Sequence, residues 1–228
     1  MEQQDNEMAV NPLPPVIAAL FLVIIGIEVT FFLGNHGMIG GPQAVGWRLA
    51  AVQKYAFSGE ILDWMIATGR WPAEHMIRFL SYPFVHGGFG HALIAGVILL
   101  AMGKMVGDLF GSLATLVIFL ASAVGGALAY GLILDDPLPL LGAFPAVYGL
   151  IGAYTFILWV SLGSIGANQV NAFRLIALLM AIQLVFGLLF DTSNDWLADL
   201  AGFGTGFLLS FVVSPGGWAR VRARIRRG

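Results

Sequence analysis

The chain of 228 residues contains no cysteine. That single absence excludes disulfides, thiol nucleophiles and thiolate metal ligands, and leaves the redox compartment undetermined. Charge is nearly as scarce. Asp, Glu, Lys and Arg together are 11% of the residues, where a soluble domain carries roughly 25%. Hydrophobic residues make up 58% and the mean hydropathy is +0.86, so too little polar surface remains to face water on every side. A net charge of −2 gives no basis for nucleic-acid binding. The first fifteen residues hold Glu2, Asp5 and Glu7 but no Lys or Arg. A secretory signal begins with basic residues, so the first apolar run is expected to be a retained helix.

What is present is a series of six apolar runs, at residues 15–33, 91–105, 112–134, 145–160, 173–190 and 196–213. The second is short unless it begins nearer Gly87. Backbone groups in hydrocarbon must be satisfied within their own segment, and period-2 alternation is absent, so these runs are expected to be helices. The expected division is an N-terminal tail at 1–14, one membrane domain at 15–213 and a basic C-terminal tail at 214–228. Between the first two runs lies a long mixed segment, residues 34–78. Its apolar residues Phe57, Ile61, Leu62, Trp64 and Met65 form a helical stripe among charges, which predicts an amphipathic loop lying at the membrane surface.

Lys and Arg set the expected orientation. Arg220, Arg222, Arg224, Arg226 and Arg227 supply five of the eleven basic residues, and an even number of spans places Lys104 and Arg174 on the same side as that tail. The opposite side has acidic loops around Asp135–Asp136 and Asp191–Asp195. Both termini are therefore expected in the cytoplasm, in an integral protein of a bacterial inner membrane. Within the spans, Gly202 and Gly206, and Gly149 and Gly152, have the spacing that lets helix backbones approach closely. No internal repeat of the kind found in transporters is visible.

Three stretches carry more specific information. Arg78-Phe-Leu-Ser-Tyr-Pro-Phe-Val-His86-Gly-Gly-Phe-Gly-His91 opens the second run. Gly142-Ala-Phe144-Pro145-Ala-Val-Tyr148-Gly149 opens the fourth, and Ala198-Asp199-Leu-Ala-Gly202 lies in the last. In order and spacing the chain resembles the rhomboid intramembrane proteases. The resemblance implies an all-α membrane protein, a six-helix rhomboid-like bundle with a long membrane-associated first loop. It also implies a Ser–His dyad, with a His and an Asn stabilising the oxyanion.

Transferred position by position, that chemistry is interrupted. Phe144 stands where the resemblance places the nucleophilic Ser, Asp199 where it places the base, and Ala95 where it places the oxyanion Asn; His91 is kept. Acyl transfer needs a nucleophile, a base and oxyanion donors. A phenyl ring supplies no nucleophile, and Pro145 lacks the backbone N–H that a glycine there would offer. The implied function is therefore a rhomboid-like pseudoprotease, not an enzyme, that sits in the lipid bilayer and binds, escorts or assembles with other transmembrane proteins. A rhomboid-type serine hydrolase using other residues is the alternative, and a relocated pair such as Ser81 and His86 would have to serve it. His86 is expected to anchor the loop entering the second helix. Asp199 is expected to pair with His91 or Tyr148 in a pocket closed by the Phe144 and Tyr148 rings. His86, His91 and Asp199 are a conceivable ligand set, but the five-residue spacing of the two histidines is poor for one helix face. No metal, cofactor or small-molecule substrate is expected.

Overall fold

The structure is a computed structural model that describes residues 12–134, 136–190 and 195–217. The expected tails fall largely outside these residues, as do Asp135, Asp191 and all five arginines of the C-terminal cluster. Among the described residues five helices are long and apolar enough to cross a membrane. These are α1 (Pro15–Asn35), α6 (Phe89–Phe110), α7 (Ser112–Ile133), α8 (Phe144–Ser164) and α10 (Trp196–Val213). The fifth apolar run forms α9 (Arg174–Phe190), a helix of 17 residues. The second run was expected to be short, yet α6 continues through Lys104 and Asp108 to Phe110. Those two charges are one turn apart and neutralise each other, with Nζ donating to Oδ2 at 3.1 Å.

The mixed segment after α1 folds into short helices, α2 (Trp47–Tyr55), α3 (Gly59–Thr68), α4 (Ala73–Met76) and α5 (Arg78–Ser81). Ser58 caps α3, accepting from the Ile61 N–H at 3.3 Å. The predicted stripe is divided between two environments. Phe57, Leu62 and Met65 are buried, with Leu62 packed at Gly131 of α7, whereas Trp64 faces outward. Arg78 closes the other end of the segment. Its guanidinium donates to the Ala56 and Gln53 carbonyls, both at 2.8 Å, at and just before the C-terminus of α2. An isolated antiparallel bridge between Phe57 and Leu140, with N–H···O distances of 3.0 and 2.9 Å, fastens this segment to the loop that precedes α8.

The core lies between α7, α8 and α10, and small residues make it possible. A Cβ on Gly202 would collide with the Pro145 carbonyl, one on Gly206 with the Gly149 carbonyl, and one on Gly152 with the Phe203 carbonyl. The backbones of α8 and α10 are thus in direct contact, as the glycine spacing suggests. Gly204, on the same helix, faces open space. Replacing Gly206 by Ala is expected to cost about 1–3 kcal/mol, because the atom it meets is backbone that cannot rotate away. Gly204→Ala should be neutral or slightly stabilising. Unfolding of both variants in mild detergent checks this, and equal stabilities would contradict the packing.

Candidate functional site

The site begins at the N-termini of three helices. Phe144 is the first residue of α8 and Pro145 the second, where a missing N–H costs no helical hydrogen bond. Ala143, just before, donates its N–H to His86 Nε2 at 3.2 Å, and Gly142 donates its N–H to the Tyr82 carbonyl at 3.0 Å. His86 therefore reaches across to the loop entering α8; it does not only serve the loop entering α6, as the sequence suggested. Gly142 has φ +91, and a side chain there would meet the His91 ring. Both its backbone angle and its contact require glycine.

A second device holds His86 from outside. Glu28 of α1 is almost wholly buried and accepts two bonds from Arg48 of α2, Nη2 to Oε1 at 2.6 Å and Nη1 to Oε2 at 2.9 Å. Arg48 Nη1 also donates to the His86 carbonyl at 2.7 Å. This bidentate pair ties the first span, the mixed segment and the approach to α6 at one point. An acid in one apolar run and an Arg in the loop that follows are the signal of this pair in the sequence. Beside it, the His86 and His91 rings meet edge to face with centroids 5.2 Å apart.

His91, Phe144, Tyr148, Asp195 and Asp199 all line one cavity of about 580 Å³, with Gln183 of α9 opposite. The expected closure by two rings does not occur. Phe144 lies instead against His91, with ring centroids 5.0 Å apart and planes 24° from parallel, and this leaves space beneath. Asp199 likewise departs from expectation. Its Oδ2 accepts from Gln183 Nε2 at 2.7 Å, and neither His91 nor Tyr148 bonds to it. Phe144 covers a face of the imidazole, while Gln183 reaches the carboxyl from the other side. Tyr148 makes only a long contact, its hydroxyl 3.5 Å from Gln183 Oε1. Asp199 Oδ1 is buried and has no hydrogen-bond partner among the described residues. Gln183 went unremarked in the sequence, yet it is the sole strongly polar side chain between Arg174 and the end of α9, an exception that hydrocarbon burial makes informative.

The remaining residues fall away from this centre. Ala95 is buried on α6, one turn beyond His91, and presents no polar atom. Gly202 and Gly206 serve the α8–α10 contact. The Ser81 hydroxyl donates to the Tyr55 carbonyl at 2.9 Å, which is a loop contact and brings it to no histidine. Among the described residues no group of three or more His, Cys, Asp or Glu converges as a metal site would.

A helical membrane protein with these three helix starts around one cavity has the layout that the sequence motifs suggested. The Rhomboid domain profile matches residues 73–216, more than half of the chain, and the protein belongs to the rhomboid family. RHOMBOID-like protein 4 of Arabidopsis thaliana is 34% identical over 139 residues, covering 60% of this chain and 34% of its own length. RHOMBOID-like protein 2 of the same plant is 33% identical over 153 residues, covering 66% and 47%. RHOMBOID-like protein 1 is 31% identical over 135 residues, covering 59% and 34%. The chain thus spans less than half the length of each of these relatives.

The electrostatics of the loop give a pH dependence. Burial, with the neighbouring His91 and the Arg48 charge, pushes His86 down to about 3. Its unfolded value is about 6.5, so the unfolded chain takes up this proton first as pH falls. The stabilisation is complete above pH 6.5 and is lost progressively between there and pH 3. Unfolding in detergent at pH 7.5 and pH 5 should therefore show a larger acid loss for the native protein than for His86→Gln, by about 1–2 kcal/mol. Equal losses would contradict the assignment.

Proposed function

We propose that this rhomboid-family protein is a pseudoprotease that binds the transmembrane segments of other membrane proteins without cleaving them. In this reading α9 completes a bundle of six spans, since about 17 residues is the short end of what crosses a bilayer. Both termini then share the cytoplasmic face, and in a bacterial cell the bundle sits in the inner membrane. The observation that carries the proposal is the content of the cavity. His91, Phe144, Tyr148 and Asp199 surround it, and among the described residues that line it there is no Ser, Thr or Cys.

The physical argument is one of missing parts. At position 144 there is no oxygen to attack a carbonyl, so a base at position 199 would have nothing to activate. Ala95 and Pro145 add no donor toward an oxyanion. A lone His91 can polarise a bound group but cannot by itself complete acyl transfer. What remains useful is shape: a cavity between helices, of a size that holds side chains of another chain. Ile94 of α6 and Ile182 of α9 line it and are also exposed on the outer faces of their helices, which supports entry from the lipid.

The purified protein in detergent or proteoliposomes should leave generic transmembrane substrates intact and should not react with a fluorophosphonate probe. Labelling abolished by replacing one serine would establish a rhomboid-type hydrolase working through other residues, and would overturn the proposal.

A further inference from the structure

We infer that the cavity selects transmembrane segments carrying a basic side chain, Lys or Arg, about one helical turn below the membrane surface, with Asp199 as the acceptor. This rests on the reading above, in which transmembrane segments enter between α6 and α9.

The reason lies in an imbalance inside the cavity. Asp199 is 1% exposed. One carboxyl oxygen is bonded to Gln183 at 2.7 Å, and the other, Oδ1, has no partner among the described residues. A buried acceptor without a donor is costly, most of all in a wall otherwise built of Ile94, Ile98, Leu179 and Ile182. The described residues that line the cavity include a second acid, Asp195, and no Lys or Arg.

Gln183 defines where the missing donor belongs. Its amide N–H group already serves Oδ2, and its amide oxygen faces the Tyr148 hydroxyl, so it holds the carboxyl group with Oδ1 left over. Asp199 is the fourth residue of α10, which sets it about 5 Å along the helix from its first residue, at 1.5 Å per residue. A Lys or Arg near one end of an incoming helix has an apolar stem that suits the aliphatic wall and a charged head that suits Asp199. The alternative source of such a head group is the amine of phosphatidylethanolamine. The mouth between Ile94 and Ile182 favours a helix, because both residues lie on exposed apolar helix faces where a partner's apolar surface can pack.

The test uses the whole protein in phosphatidylcholine vesicles and two synthetic single-span peptides. One carries Lys one turn below the end that meets the cavity; the other carries Leu at the same place. Affinity is read by energy transfer from a donor dye on the protein to an acceptor on the peptide. The Lys peptide should bind about tenfold more tightly, and Asp199→Asn should remove that advantage. A circular-dichroism spectrum and a thermal midpoint like those of the native protein show that the variant is folded. The comparison of the two peptides on the native protein stands even without the variant. Equal affinities of the two peptides would overturn the inference and leave transmembrane binding intact, whereas failure of both peptides to bind would overturn that reading as well. If phosphatidylethanolamine in the vesicles erases the Lys advantage, the occupant is a lipid head group and the inference of a helix partner fails.

Discussion

The contact on which the arrangement depends is the backbone approach of α8 to α10. Gly149 and Gly152 on one helix meet Gly202 and Gly206 on the other, and any side chain at Gly202 or Gly206 would strike a carbonyl. In lipid this packing cannot draw on the hydrophobic effect, because lipid tails are as apolar as the helices. Close van der Waals contact between backbones takes its place. The consequence is positional. With the two axes fixed, the first turn of α8 and the first turn of α10 lie side by side, so Phe144, Tyr148 and Asp199 face one cavity. The glycines thus determine the site without contributing an atom of chemistry to it.

A second constraint acts at the rim. Glu28, Arg48 and the His86 carbonyl form one charged node, and His86 in turn holds the loop before α8 through the Ala143 N–H. A buried carboxylate at this depth is tolerated because the guanidinium meets both its oxygens. Removing either charge would leave the other stranded and release α1 from the segment that follows it. The node and the α8–α10 contact between them place every residue around His91, one from the surface and one from the core.

Much of this was legible in the sequence, for reasons specific to each element. Long apolar runs declare helices because hydrocarbon permits little else, and α7 and α10 lie within one residue of expectation. The motifs around His91, Phe144 and Asp199 fall around one cavity because their order along the chain mirrors the helices that meet there. The extension of α6 was hidden because Lys104 and Asp108 read as loop charges until their pairing is seen. Partner choice was the least legible. Asp199 was assigned to His91 or Tyr148 on the expectation that an acid pairs with what shares its pocket. Gln183 wins because it lies on a helix whose facing rotation no linear pattern fixed, and because Phe144 stacks on the imidazole. The open cavity accompanies the same stacking, which sets the phenyl ring against His91.

On the function we propose, a rhomboid-family scaffold with an aromatic ring, a proline and an aspartate around its cavity holds a helix without cutting it. The most direct measurement of that claim is photo-crosslinking in native membranes from a reactive residue placed at Ile182, followed by mass spectrometry of the captured chain. The account predicts a transmembrane segment attached at the cavity mouth and intact on both sides of the attachment. A captured segment ending at a fresh terminus beside the cavity would contradict it.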